Sequence, residues 1–196
     1  NAADVRAATL DSLRAVMLIR AYRSNGHLLA ALDPLALEEP DLHPELDPET
    51  YGFGDDDWER PIFIDNVLGL ETATLTEIIA RLRQTYCGTI GVEFMHVQDP
   101  KQKAWIQERI ESINNQTDFT LRGKSAIYER LVDADEFGKY LHKKFPGTKR
   151  FGLDGSEAVI PALEQILKRG SQLGLREVVV GMAHRGRLNI LHNVLQ

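Results

Sequence analysis

Apolar residues recur at three- and four-residue steps from the start of the chain: Leu10, Leu13, Met17 and Ala21, with Leu28 and Leu32 continuing the phase through Gly26. This spacing predicts a helix with one apolar face. It runs unbroken or divides at Gly26, a weak helix former, and Asp33-Pro34 ends it. From 33 to 61 the periodicity lapses. Five of the eight prolines fall there, together with the acid run Asp55, Asp56 and Asp57, and the stretch is read as an irregular connector. The acid run reads as a solvated turn in preference to a metal site.

Three further helices carry start signals. Thr74 and Glu77 have capping-box spacing ahead of Leu75, Ile78, Ile79 and Leu82. Asp99-Pro100 places a cap and a first-turn proline before Ile106, Ile110 and Ile113. Asp133 and Glu136 form a box-like pair before Phe137, Tyr140 and Leu141, in a helix that closes on Lys143, Lys144 and Pro146-Gly147. Ser125 to Val132 is expected to be a separate short helix.

The pattern changes near Lys149. Leu163, Ile166, Leu167 and Leu173 predict another helix, which begins near Pro161 and ends at Gly174. Glu177 to Val180, with three consecutive valines, reads as a buried strand. Gly181 to Arg187 reads as a loop, and Leu188 to Leu195 as a helix. Helix, strand, loop and helix open an α/β domain with a parallel sheet. The expected organisation is therefore α/β overall, with a helix-rich region over 1–148 and the beginning of an α/β domain over 149–196. One strand cannot make a sheet, so partner strands are expected outside this chain.

Composition narrows the function classes. A net charge of -6 gives no electrostatic basis for binding nucleic acid or an anionic membrane, so any anion site must be local. No apolar run approaches the ~20 residues needed to span a bilayer, and a soluble, cytoplasmic protein is expected. The single cysteine, Cys87, excludes an intrachain disulfide and is read as a small buried hydrophobe. His27, His43, His96, His142 and His192 lack metal-ligand spacing. No nucleophile elbow, Walker loop or dinucleotide fingerprint occurs.

The one chemically suggestive stretch is Gly181 to Asn189, where the expected strand gives way to a helix, a preferred position for ligand sites in open α/β sheets. Gly181 and Gly186 permit a sharp turn and close backbone approach. Arg185 and Arg187 offer forked donors to a carboxylate or phosphate. His184 can donate to an anion, and free N–H groups at the following helix start would reinforce the field. The residues alone leave open whether this is an anion site or a basic surface turn.

Five blocks carry a resemblance: AYRSNGHLLAALDPL, TYCGTIGVEFMHV, KQKAWIQERIE, KFPGTKRFGLDG and REVVVGMAHRGRLNIL. Their identity and order resemble the N-terminal part of the 2-oxoglutarate dehydrogenase family. The resemblance implies a longer homodimeric enzyme, part of a multienzyme complex of the tricarboxylic acid cycle, with thiamine diphosphate and Mg2+ as cofactors. It would decarboxylate 2-oxoglutarate and pass the succinyl group to the lipoyl domain of dihydrolipoyl succinyltransferase. The family's thiamine-diphosphate-binding domain begins near the KRFGLDG block. His184 matches the family's active-site histidine near the distal carboxylate of the substrate. Arg185 matches a residue that contacts the cofactor through its diphosphate. Arg187 and Asn189 are expected to brace the loop.

Ser156 departs from the family, which often carries glycine there; it is read as a helix N-cap. The magnesium motif, the glutamate that activates the cofactor and the later histidine loop do not occur in these residues, so the chain alone is expected to be inactive. Related thiamine-dependent 2-oxoglutarate decarboxylases, carboligases and 2-oxoadipate dehydrogenases share these motifs. A non-catalytic helical interaction module is the alternative of another class. In a eukaryotic source the compartment would be the mitochondrial matrix.

Overall fold

A computed structural model describes residues 2–37, 40 and 42–195, which fall into two compact units, Asn1–Thr117 and Asp118–Gln196. Helix α1 spans Ala2–Asn25 and gives way at Gly26 to a 3-10 turn over Gly26–Leu29. A Cβ at Gly26 would lie 2.6 Å from Tyr86 Cβ, so glycine here admits α2 (Leu75–Tyr86) against the end of α1.

Of the face of α1 expected to pack, only Ala21 is buried. Ala15, Leu18, Ile19 and Tyr22 are buried, whereas Leu10, Leu13 and Met17 are 45%, 58% and 57% exposed. Apolar residues line two sides of this helix, so periodicity identifies the helix without choosing between its faces. The chosen side also buries Asp11, which is held by Arg60 at 3.0 Å and Arg14 at 3.7 Å.

Leu18, Ile19 and Tyr22 share a core with Leu75, Ile78, Leu82 and Tyr86 of α2. The connector contributes to that core through Leu46 and Phe53. Its prolines start short 3-10 turns at Pro44–Leu46 and Pro48–Tyr51, and Asp47 caps the second through Glu49 N at 3.0 Å. The acid run is a turn whose Asp57 accepts from Gly54 N at 2.8 Å and pairs with Arg60. Two short antiparallel strands not expected from the residue pattern, β1 (Ile62–Phe63) and β2 (Thr72–Ala73), pair Ile62 with Ala73.

Two expected caps are present. Thr74 Oγ1 accepts from Glu77 N at 3.2 Å while Glu77 Oε2 accepts from Thr74 N at 2.8 Å, which starts α2. Asp99 accepts from Lys101 N at 2.8 Å and starts α3 (Pro100–Glu111). Ile106 and Ile110 pack against the core, but Ile113 lies beyond the end of α3 and is exposed.

In the second unit, α4 is one helix over Leu121–Lys144, capped by Thr120, whose Oγ1 accepts from Gly123 N at 3.1 Å. The expected break at Asp133 does not occur. Asp133 pairs with Arg130, and Glu136 with Lys139, as ordinary helix-surface neighbours. Helix α5 spans Val159–Gln172, with Pro161 inside its first turn and Gly174 at φ +93 just beyond its end. Its N-cap position is Ala158, so Ser156 is not the cap; Ser156 instead closes a turn by donating its N–H to Leu153 O at 2.8 Å.

The expected strand at Glu177–Val180 is absent, and no parallel sheet occurs among the described residues. Val179 is 97% exposed. A parallel strand needs neighbours for its hydrogen bonds, and the described residues supply none. Helix α6 covers Arg187–Ile190 and runs into a π turn over Leu191–Leu195, in place of one regular helix over 188–195. Ala134, Ile160 and Ile190 form the centre where α4, α5 and α6 meet. No helix among the described residues is long and apolar enough to cross a membrane.

Candidate functional site

The loop before α6 is fixed by backbone geometry at Gly186. This residue is buried at φ +72, and a Cβ there would lie 2.4 Å from Leu153 Cδ1. Only glycine meets both conditions without displacing a neighbour. Its N–H donates to Phe151 O at 2.7 Å, which ties the loop to the KRFGLDG block. Its carbonyl accepts from Ile190 N at 3.0 Å and begins α6, while Arg187 N donates to His184 O at 3.4 Å.

This turn leaves His184 and Arg185 side by side and exposed. The imidazole of His184 lies against the Phe151 ring, with centroids 5.7 Å apart and planes tilted by 32°. Neither Arg185 nor Arg187 forms an ion pair among the described residues, although the chain carries 29 acidic residues that could have supplied one. The guanidinium of Arg185 is thus available to an external anion. Helix α6 has only four residues and starts from a left-handed Gly186, so the helix-start field expected here adds little.

Asn189 points the other way. It is buried, donates from Nδ2 to Ala134 O at 2.7 Å, and accepts from Asn193 Nδ2 at 2.6 Å. It holds α6 on α4. Arg187, expected to brace the loop, is exposed and makes no side-chain bond among the described residues.

A cleft of about 400 Å³ opens beside this turn, bordered by Lys139, His142, Arg150, Phe151, Gly186 and Asn189 among others. Neither His184 nor Arg185 lines it. Its basic groups are engaged with neighbours: Arg150 donates to the carbonyls of Leu141 and Phe145 at the end of α4 and lies 2.7 Å from His142 Nδ1. Lys139 sits 2.6 Å from Asp135, a hydrogen bond that raises its pKa. The basic side chains of the cleft are therefore held in structural contacts, and the guanidinium groups without an ion pair among the described residues lie on the exposed turn.

Among the described residues no group of three His, Cys, Asp or Glu side chains is placed to hold a metal ion. Cys87 is half-buried, and burial pushes its thiol pKa up, away from the reactive thiolate. The reading from sequence missed Phe151 as the neighbour of His184. The KRFGLDG block was visible as a motif, but nothing in its spacing signals contact with a distant loop.

No family model matches the chain. Its relatives are nonetheless clear. The 2-oxoglutarate dehydrogenase E1 components of Brucella canis, Brucella suis and Brucella melitensis are each 59% identical to it over 196 residues. The match covers the whole chain but 20% of each relative, so the chain spans about one fifth of the length of these curated proteins. This similarity is sustained from end to end of the chain, through both units, and joins it to one fifth of the 2-oxoglutarate dehydrogenase E1 components named above.

Proposed function

We propose that the chain is part of a thiamine-diphosphate-dependent enzyme that decarboxylates 2-oxoglutarate and delivers the succinyl group to the lipoyl domain of a dihydrolipoyl succinyltransferase. The observation that carries this reading is 59% identity along the entire chain to proteins named 2-oxoglutarate dehydrogenase E1 component. In this reading residues 149–196 begin the cofactor-binding α/β domain, and the exposed Val178 and Val179 await neighbouring strands. The intact enzyme is a homodimer of the cytoplasm, or of the mitochondrial matrix in a eukaryotic source.

The exposed turn supplies two anion-directed groups. Arg185 holds the diphosphate of the cofactor; its exposed guanidinium, with no competing acid among the described residues, has the donor chemistry that group requires. His184 donates a charge-assisted hydrogen bond to the distal carboxylate of 2-oxoglutarate. Bound thiamine diphosphate supplies the carbon nucleophile and the electron sink. The chain's own residues position the two anions so that the keto carbon faces that nucleophile. Mg2+ would offset the negative charge of the diphosphate, and its protein ligands are assigned to other parts of the enzyme.

The test is substrate choice in the intact enzyme. His184→Ala should cost about ten- to a hundredfold more kcat/KM on 2-oxoglutarate than on 2-oxovalerate, which lacks the distal carboxylate, because a hydrogen bond to a charged group is lost. Equal losses on both substrates would refute the role. Arg185→Ala should raise the Kd for thiamine diphosphate, and an unchanged Kd would remove Arg185 from the site.

A further inference from the structure

Phe151 is a bulky residue at φ +45, a backbone conformation that side chains with a Cβ rarely adopt. Such strain persists only where surrounding contacts hold it, and it is a pointer to function. The segment around it is linked to the His184 turn. The carbonyl of Phe151 accepts from Gly186 N at 2.7 Å, Leu153 fills the space that a side chain on Gly186 would need, and the Phe151 ring lies 5.7 Å from the imidazole of His184.

We propose that Phe151 is a positioning residue for substrate selection: its ring sets the orientation from which His184 meets the distal carboxylate. The inference rests on the carboxylate-binding role of His184 given above. An exposed histidine on a loop would otherwise sample several rotamers, each with its N–H groups aimed differently. The aromatic wall restricts that choice before substrate arrives, so less ordering is required on binding. The ring touches neither reacting atom in this scheme. It acts through His184, and its removal should affect recognition of the carboxylate more than the chemical step.

Three variants of the intact enzyme test this: Phe151→Leu, which keeps bulk but loses the flat wall; Phe151→Tyr, which keeps the wall; and His184→Ala. The readouts are KM and kcat on 2-oxoglutarate and 2-oxovalerate, and the calorimetric Kd for glutarate, which carries the carboxylates but no reacting carbonyl. Phe151→Leu should raise KM for 2-oxoglutarate and the Kd for glutarate by about tenfold, with kcat on 2-oxovalerate nearly unchanged. Phe151→Tyr should restore both. Combining Phe151→Leu with His184→Ala should add no further loss of selectivity, because the two residues act as one unit. Equal loss on both substrates in Phe151→Leu, or no change in selectivity where His184→Ala shows one, overturns the positioning role. If His184→Ala itself leaves selectivity and glutarate affinity intact, the carboxylate reading fails first, and the role of Phe151 fails with it.

Discussion

Arg23 and Glu111 meet as a two-pronged ion pair, Nε to Oε1 at 2.7 Å and Nη2 to Oε2 at 3.0 Å, although they lie 88 positions apart. Tyr86 donates its hydroxyl to the same Oε1 at 2.7 Å. Arg23 lies in the last turn of α1, Tyr86 ends α2 and Glu111 ends α3, so a single carboxylate clasps three helix ends. Burial alone would lower the pKa of Arg23, but the hydrogen bonds to Glu111, the charge of that carboxylate and the Tyr86 hydroxyl together outweigh it and leave it raised.

Glu111→Gln should therefore be strongly destabilising. The Arg23 and Glu111 side chains are only 14% and 11% exposed, so the substitution leaves a largely desolvated guanidinium without its counter-charge. Removing one partner of a buried pair costs about 3–5 kcal/mol. Urea unfolding would check it; a loss below about 1 kcal/mol would mean that the pair behaves like one screened by solvent.

Tyr86→Phe should show a pH signature. Burial, and then the hydrogen bond to Glu111, raise the phenol above its ordinary value of 10.0 in the folded chain. A raised folded pKa contributes stability that is complete below the unfolded pKa and is lost as pH climbs through the folded value. The variant should be about 1.5–3 kcal/mol less stable at neutral pH, since it lacks a hydrogen bond to a charged group. The gap to the parent should narrow above about pH 10, where the unfolded phenol ionises. Unfolding measured from pH 7 to 11 would contradict this if the gap stayed constant.

Helix starts were legible because their signals are local. The Thr74–Glu77 box and the Asp99-Pro100 start depend on residues within one turn, and both were read correctly. What needed tertiary information was misread. Two apolar sides of α1 look alike in sequence, and only the position of α2 and the connector selects the side bearing Leu18 and Tyr22. Asp133 and Glu136 imitate a capping box, yet a strong start at Thr120 lets α4 run through them. The valine run at 178–180 has strand composition, but strand formation is a property of paired chains. At the candidate site Gly186 was legible as a turn residue, whereas Asn189, expected with Arg187 to brace the loop, holds α6 on α4 instead. The contact of Phe151 with His184 was not legible, because two loops distant in sequence leave no common periodicity.

Thr74→Ala removes the side-chain acceptor for Glu77 N while leaving the apolar face of α2 intact. The expected loss is about 1 kcal/mol, and Thr74→Ser should recover most of it. Denaturant midpoints of the two variants test the cap directly. Equal destabilisation by Ala and Ser would assign the effect to the methyl group of Thr74 and not to its hydroxyl.

Gly186→Ala and Gly155→Ala form a controlled pair, because both glycines have positive φ, +72 and +81, and differ in their surroundings. At Gly155 an added Cβ meets nothing within 4 Å, so Ala should cost only the left-handed strain of about 1–2 kcal/mol. At Gly186 the same strain is joined by an approach of 2.4 Å to Leu153 Cδ1. Relief requires Leu153 to move or the bond from Gly186 N to Phe151 O to open, and either shifts the turn that carries His184. Gly186→Ala should thus be about 1–3 kcal/mol more destabilising than Gly155→Ala, the range for overpacking a filled space. In the intact enzyme it should also lower selectivity for 2-oxoglutarate over 2-oxovalerate, while Gly155→Ala leaves it unchanged. Matching losses of stability in the two variants would show that Leu153 yields freely, and the turn would then not be held as tightly as its geometry indicates.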